Sequence, residues 1–173
     1  MDINSDWMLP PEVHDFLESS FPKGSRLLEF GSGEGTFRFA KYFEVFSIEH
    51  DSLWASKLDS ICHLIPIIPN AISSKHNQIG WYDIDMVVDI LPQDLDVVVI
   101  DGPPGEIGRA GIISIINKLP KNATYIIDDV HRPEELNLLK ILHEWHGGEC
   151  TIHSAKYSTG VERLWSSLIP KVG

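Results

Sequence analysis

Arg26-Leu27-Leu28-Glu29-Phe30-Gly31-Ser32-Gly33-Glu34-Gly35-Thr36 is the stretch on which the fold turns. Leu27, Leu28 and Phe30 form a short apolar run that stops at Gly31, the pattern of a parallel strand covered on both faces. The glycines that follow let the backbone turn tightly and bring its N–H groups against a ligand. Phe37, Phe39 and Ala40 then open a helical run, so a helix N-terminus points at whatever the loop holds. A phosphate-cradling loop would end in Gly-Lys-Ser/Thr, which is missing. A dinucleotide fingerprint, G-x-G-x-x-G, would need a glycine at position 36, where the chain has Thr36. Glu34 adds a carboxylate that would repel a pyrophosphate.

Glu29, two residues before Gly31, adds a second acid. The combination suits a ligand that is cationic at one end and carries no phosphate. S-adenosylmethionine (SAM) is such a ligand, with a sulfonium, an ammonium, a carboxylate, a ribose and an adenine. The stretch closely resembles motif I of class I SAM-dependent methyltransferases. A glycine-rich strand–helix turn without a ligand is the competing reading at this point.

The rest of the chain repeats the strand–helix alternation. Residues before Pro10, with Trp7, Met8 and Leu9, read as an irregular arm, and Pro10-Pro11 opens a helix to about Ser20. This N-terminal arm and helix, residues 1–22, is either a lid over a ligand pocket or a packed cap. Val45 to Asp51 is a second strand ending in charge. Glu49 falls about 20 residues past the glycine loop, where a βαβ nucleoside site places its ribose-binding acid. Asp51 is expected to cap the next helix, with Leu53, Trp54 and Leu58. Cys62–Ile68 reads as a third strand, 74–80 as a loop and 82–91 as a helix. Leu95 to Asp101 is a buried, β-branched strand ending in acid, closed by Gly102-Pro103-Pro104-Gly105. Arg109 starts a helix carrying Ile112, Ile113 and Ile116. Tyr125–Asp129 is a fifth strand, followed by His131 and Arg132, and Pro133 opens a helix to about Trp145 that Gly147-Gly148 ends. Strands near 150–155 and 162–168 close the chain as an antiparallel hairpin through Ser158-Thr159-Gly160. The pattern predicts an α/β fold: a doubly wound, mostly parallel seven-stranded sheet between helical layers.

With Ser47–Trp54 and Val97–Gly105 added to the first motif, the chain resembles class I SAM-dependent methyltransferases over most of its length. Ile48-Glu49-His50-Asp51 with Trp54, and Ile100 to Gly105 with Arg109, are similar to a group related to glucuronoxylan 4-O-methyltransferases and the wider methyltransferase-24 group. The resemblance implies a Rossmann-like sheet of order 3-2-1-4-5-7-6, with strand 7 antiparallel. It implies cofactor contacts from Glu29, Gly31, Ser32, Gly33, Gly35, Thr36, Glu49, His50, Asp101 and Gly102, and, near the adenine, from Asn70 and Ala71.

Transfer of a methyl group to a hydroxyl needs alignment and removal of a proton far above its working pKa, by a base or with a metal. Asp101, Asp128 and Asp129 are expected to converge at neighbouring strand ends. Catechol and caffeoyl-CoA O-methyltransferases are similar there, holding a divalent cation with two aspartates and an asparagine. Mg²⁺ or another oxygen-seeking cation would suit these three acids. The chain departs from that pattern: Asp129 stands in place of the asparagine, and Gly102-Pro103-Pro104 replaces the segment that holds their catalytic lysine. Without a cation, Asp101 or Asp128 is a candidate base, and His131 is another.

The chain has 173 residues, expected to form one domain over 1–173, with a net charge of −11. That charge disfavours a chain-wide grip on nucleic acid, and an Asn/Asp-Pro-Pro-Tyr/Phe signature is absent. No apolar run is long enough to span a membrane. Cys62 and Cys150, far apart in sequence, read as reduced thiols of a cytoplasmic protein. The expected activity is methyl transfer from SAM to a hydroxyl of a small molecule or glycan. A nicotinamide-dependent oxidoreductase and a non-catalytic nucleoside-binding domain are the alternatives. The acceptor and the oligomeric state have no signature in the sequence.

Overall fold

The computed structural model describes residues 8–58, 61–156 and 162–171; the expected turn at Ser158-Thr159-Gly160 and the arm residue Trp7 lie outside them. The elements in order are α1 (Pro11–Ser20), β1 (Arg26–Phe30), α2 (Glu34–Tyr42), β2 (Glu44–Glu49), α3 (Ser52–Ala55), β3 (Cys62–Leu64), β4 (Ile67–Ile68), α4 (Ala71–Lys75), β5 (Trp81–Tyr82), α5 (Ile84–Ile90), β6 (Val97–Ile100), a 3₁₀ helix (Ala110–Lys118), β7 (Thr124–Ile127), α6 (Pro133–His146), β8 (Glu149–Lys156) and β9 (Glu162–Ile169). Seven strands form one sheet in the order β3-β2-β1-β6-β7-β9-β8. Counted along that sheet the order is 3-2-1-4-5-7-6, as expected. β9 runs antiparallel to both of its neighbours, and the other pairs are parallel.

Alternation along the central strands supplies both faces of the core. Val97 and Val99 of β6 pack with Leu17 of α1 and Phe39 of α2. Val98 and Ile100 face the other way, into a cluster with Trp81, Ile112 and Leu138. Each fully buried large apolar side chain in these layers contributes about 2 kcal/mol. The closing glycine of α6 behaves as expected: Gly147 adopts φ 72°, the left-handed cap a side chain resists.

Four expectations are revised. The run Cys62–Ile68 is two strands, because Pro66 cannot donate to a ladder. The chain leaves the main sheet there, and Ile67 and Ile68 pair with Tyr82 and Trp81 in a separate antiparallel ribbon. Tyr82 is therefore strand, and the helix starts at Ile84, capped by Asp83, whose Oδ1 accepts from the N–H groups of Asp85 and Met86. The first part of the expected loop 74–80 belongs to α4, through Lys75. The helix after Arg109 is 3₁₀, and a three-residue repeat explains its burial: Ile112 and Ile115 are fully buried, whereas Ile113 and Ile116 are only partly so. Gly111 permits that helix, since a Cβ there would lie 2.2 Å from the Cβ of Trp81. Among the described residues no helix is long and apolar enough to cross a membrane, and Cys62 and Cys150 are free thiols.

Candidate functional site

The carboxyl ends of β1, β2, β6 and β7 open onto a cavity of about 530 Å³. Its floor exists because two glycine backbones touch. Gly31 has φ 90°, and a Cβ on it would lie 2.6 Å from Gly102 Cα. A Cβ on Gly102 would lie 2.5 Å from Gly31 Cα. The contact is fastened by Gly31 N–H on the carbonyl of Ile48 and by Gly102 N–H on that of Phe30. The turn after β1 and the turn after β6 therefore meet, and the cavity spans both.

On the β2 side, the Glu49 carboxylate is tied to the loops around it. Oε2 accepts from Ser32 N–H at 2.8 Å and from the Ser32 hydroxyl at 3.3 Å. Oε1 accepts from the N–H groups of His50 and Asp51 at 2.6 and 2.7 Å. His50 Nδ1 lies 2.7 Å from the same oxygen. Gly31, Ser32, Gly33, Glu49, His50, Asp51 and Trp54 all line the cavity, and Met8 of the N-terminal arm joins them.

Glu29 has a different position. It is buried behind the loop and does not line the cavity. Its Oε2 accepts from the hydroxyls of Thr36 at 2.7 Å and Ser47 at 2.8 Å. Thr36 Oγ1 in turn accepts from Gly33 N–H, so Glu29 holds the loop from below. Burial pushes its pKa up to about 7, against the pull of the two hydroxyls. Gly35 is also beneath the surface, against the ring of His14, which burial holds neutral with a pKa of about 4. Asn70 and Ala71 lie away from the cavity: Asn70 caps α4 through the N–H groups of Ile72 and Ser73 and donates to Ser114. His131 is exposed and does not line the cavity either.

On the β6–β7 side the three expected aspartates do converge. One oxygen from each of Asp101, Asp128 and Asp129 lies within 4.8 Å of the others. Three arginines are interleaved with them. Arg109, 3% exposed, donates to Asp129 Oδ2 at 3.1 Å and to the carbonyls of Pro103 and Asp128, and lies 3.5 Å from Asp101 Oδ1. Arg132 Nη1 lies 3.0 Å from Asp129 Oδ2. Arg163 Nη2 bridges Asp128 Oδ2, at 2.7 Å, and Asp129 Oδ1. Glu135 is buried 4.0 Å from Arg109.

The electrostatics follow from these partners. Burial, then the charge of Asp128, push the Asp101 carboxyl well above the usual range, and Arg109 opposes them. Burial and Asp129 raise Asp128. Burial works the same way on Asp129, but Arg109, Arg163 and Arg132 outweigh it and lower its pKa. Asp101 is the member of the trio with a partly exposed side chain, and with Asp129 it lines the cavity.

Two ligands can be tested against this geometry. The character of the cavity suits SAM: glycine backbone at Gly31 and Gly102 and the Glu49 carboxylate line it, with eight carboxyl side chains against three arginines, which favours a cation. A divalent metal among Asp101, Asp128 and Asp129 does not fit the set as arranged. Both oxygens of Asp129 and one of Asp128 are already held by guanidiniums.

Arg163 and Glu135 had no place in the sequence reading. A cation at the start of an antiparallel final strand was the available signal, since that direction brings its first residues to the edge where the parallel strands end.

No protein-family model matches the chain, and no curated protein matches it in sequence. Solved structures do resemble it. Rv0187 from MTB, in cofactor-bound form, is similar with a TM-score of 0.62 at 15% identity, over 95% of this chain and 83% of its own. The O-methyltransferase TomG from Streptomyces achromogenes, in complex with SAM, has a TM-score of 0.58 at 15% identity, over 96% of this chain and 83% of its own. An rRNA methylase from Streptococcus thermophilus has a TM-score of 0.55 at 11% identity, over 92% and 95%. These likenesses establish that the chain has the Rossmann-like fold of SAM-dependent methyltransferases.

Proposed function

We propose that the protein is a SAM-dependent O-methyltransferase acting on a hydroxyl of a small molecule or glycan. The observation that carries this reading is one continuous cavity that joins the Gly31–Gly33 loop and Glu49 to Asp101. SAM would supply a methyl group already activated as a sulfonium. The loop N–H groups and the N-terminus of α2 face the amino-acid end. Glu49 accepts from the ribose, whose hydroxyl takes the place of the long Ser32 Oγ contact at 3.3 Å. The motifs Ile48–Asp51 and Ile100–Gly105 support a place in the glucuronoxylan 4-O-methyltransferase-like group.

Asp101 is the base in this reading. Its carboxylate accepts the hydroxyl proton as the acceptor oxygen bonds to the methyl carbon, and the S–C pair returns to sulfur. Its raised pKa makes it a stronger base than an ordinary aspartate, and a cation arriving beside it favours its ionised form. A nicotinamide cofactor is disfavoured by Glu34 on the cavity wall, next to where a pyrophosphate would lie.

Calorimetry tests the cofactor. The wild type is expected to bind SAM, and Glu49→Ala to bind it at least tenfold more weakly. Absence of SAM heat in the wild type, or heat with NAD instead, overturns the proposal. Acceptors are then screened with labelled methyl donor; Asp101→Asn is expected to bind SAM normally and lose turnover at least a hundredfold.

A further inference from the structure

We infer that Arg163, with Arg109, occupies the place a divalent cation would take among Asp101, Asp128 and Asp129, so that the acidic end of the cavity is organised by guanidinium rather than by metal. The three carboxylates have the spacing of a hard-cation site, each with an oxygen within 4.8 Å of the other two. A Mg²⁺ or Mn²⁺ ion would need those oxygens at about 2.0–2.2 Å. The position between Asp128 Oδ2 and Asp129 Oδ1 is held instead by one nitrogen, Arg163 Nη2. Arg109 donates to the other oxygen of Asp129, at 3.1 Å. A dication inserted here would stand against two guanidiniums in a poorly solvated site, at a cost no carboxylate geometry offsets.

The sheet makes the substitution possible. β9 enters antiparallel beside β7, with Ile127 opposite Ser166. Val130 N–H on the carbonyl of Leu164 carries the pairing one step past the strand end, at 2.9 Å. Arg163, the next residue out, thereby reaches the aspartates from a strand that ends elsewhere. Its side chain is 12% exposed, so it is a fixed part of the cluster and not a mobile surface cation. The guanidinium suits the task, because Nη2 carries two N–H groups that can serve one carboxylate each and its charge is permanent. Arg163 is thus a positioning residue. It orders Asp128 and Asp129 and leaves Asp101 as the carboxyl that meets the acceptor, a role that rests on the methyltransferase reading above.

The test uses Mn²⁺ alone, followed by electron paramagnetic resonance, with neither SAM nor acceptor present, so that it stands apart from the test of activity. Wild type and Asp101→Asn are expected to bind Mn²⁺ equally weakly. Arg163→Gln is expected to gain one site at least tenfold tighter than any in the wild type, and Asp128→Asn in that background removes it. Arg163→Lys, which keeps a cation, gains none. A wild-type site that Asp101→Asn abolishes overturns the inference, as does a folded Arg163→Gln protein that gains no site. Should Arg163→Gln fail to fold, the comparison of wild type with Asp101→Asn still decides.

Discussion

The two halves of the sheet's carboxyl edge hold their acids by different means. In the half made by β1 and β2, Glu29 and Glu49 are held by hydroxyls and backbone N–H groups from residues at most 18 positions away. In the half made by β6 and β7, the aspartates are held by guanidiniums that reach across as many as 35 positions. The contrast in proton affinity is sharpest between Glu29 and Asp129, since burial raises Asp101 and Asp128 in the charged half as well. Neutral hydroxyl donors offset burial only in part at Glu29, whose pKa rises to about 7. Three nearby cations overcome the same burial at Asp129, whose pKa falls. One edge thus contains a carboxyl that gives up its proton late and a carboxylate that stays charged, and the three cations around Asp129 set the second apart.

Breaking the charged half at its centre is expected to have the largest effect. Arg109→Gln removes a buried cation that lies beside Asp101, Asp129 and Glu135 and holds two backbone carbonyls. Leaving those carboxylates uncompensated should cost about 3–5 kcal/mol, read as a lower midpoint in chemical denaturation. A midpoint within about 1 kcal/mol of wild type would show that the acids simply take up protons, and that the two halves are alike after all.

Glu29→Gln probes the hydroxyl-held half, and its signature is a slope. The ordinary pKa of this side chain is 4.5 and the native value is about 7. Between those values the folded protein keeps a proton that the unfolded chain has released, so folding loses stability as pH rises through that window and is level above it. The span amounts to roughly 3 kcal/mol. Glutamine cannot titrate, and it can still accept from Thr36 and Ser47. The stability of the variant minus that of the wild type should therefore climb by roughly 3 kcal/mol from pH 4.5 to 7. Taking the difference cancels the opposite slope of His14, whose pKa is lowered to about 4 and which lends stability that is lost as pH falls below 6.5. Parallel curves for the two proteins would place Glu29 with the ionised acids.

The same contrast governs what could be read from the chain beforehand. The glycine loop and Glu49 were legible because their spacing is local: one strand, one turn and one helix fix it. The alternation of strands and helices led to the doubly wound sheet for the same reason, and the order of its strands followed from the family resemblance. The convergence of Asp101, Asp128 and Asp129 was legible too, since each ends an apolar strand. Their partners were not, because Arg163 reaches them through the register of β9 against β7, which no spacing encodes. The side ribbon of β4 and β5 was hidden in the same way: Pro66 marked a break in the strand, but nothing nearby in sequence indicated that Ile67 and Ile68 would find Trp81 and Tyr82. Glu29 illustrates the reverse. Its place in the motif was plain, yet its direction, down onto Thr36 and Ser47 and away from the cavity, depends on tertiary packing.

The smallest effect should come from the outermost cation of the charged half. Arg132 pairs with Asp129 at 3.0 Å, but 41% of its side chain is exposed, and water screens what it offers. Asp129 also keeps Arg109 and Arg163 when Arg132 is removed. Arg132→Gln is therefore expected to lower stability by less than about 1 kcal/mol. Its loss should shrink further in 1 M salt, whereas the loss caused by Arg109→Gln, which sits beyond the reach of counterions, should hardly change. That pair of salt dependences separates a rim contact from a structural one more sharply than either midpoint alone. An Arg132→Gln loss as large and as salt-insensitive as that of Arg109→Gln would mean that the cluster is one indivisible unit extending to the surface. The division drawn between its buried centre and its exposed rim would then have to be given up.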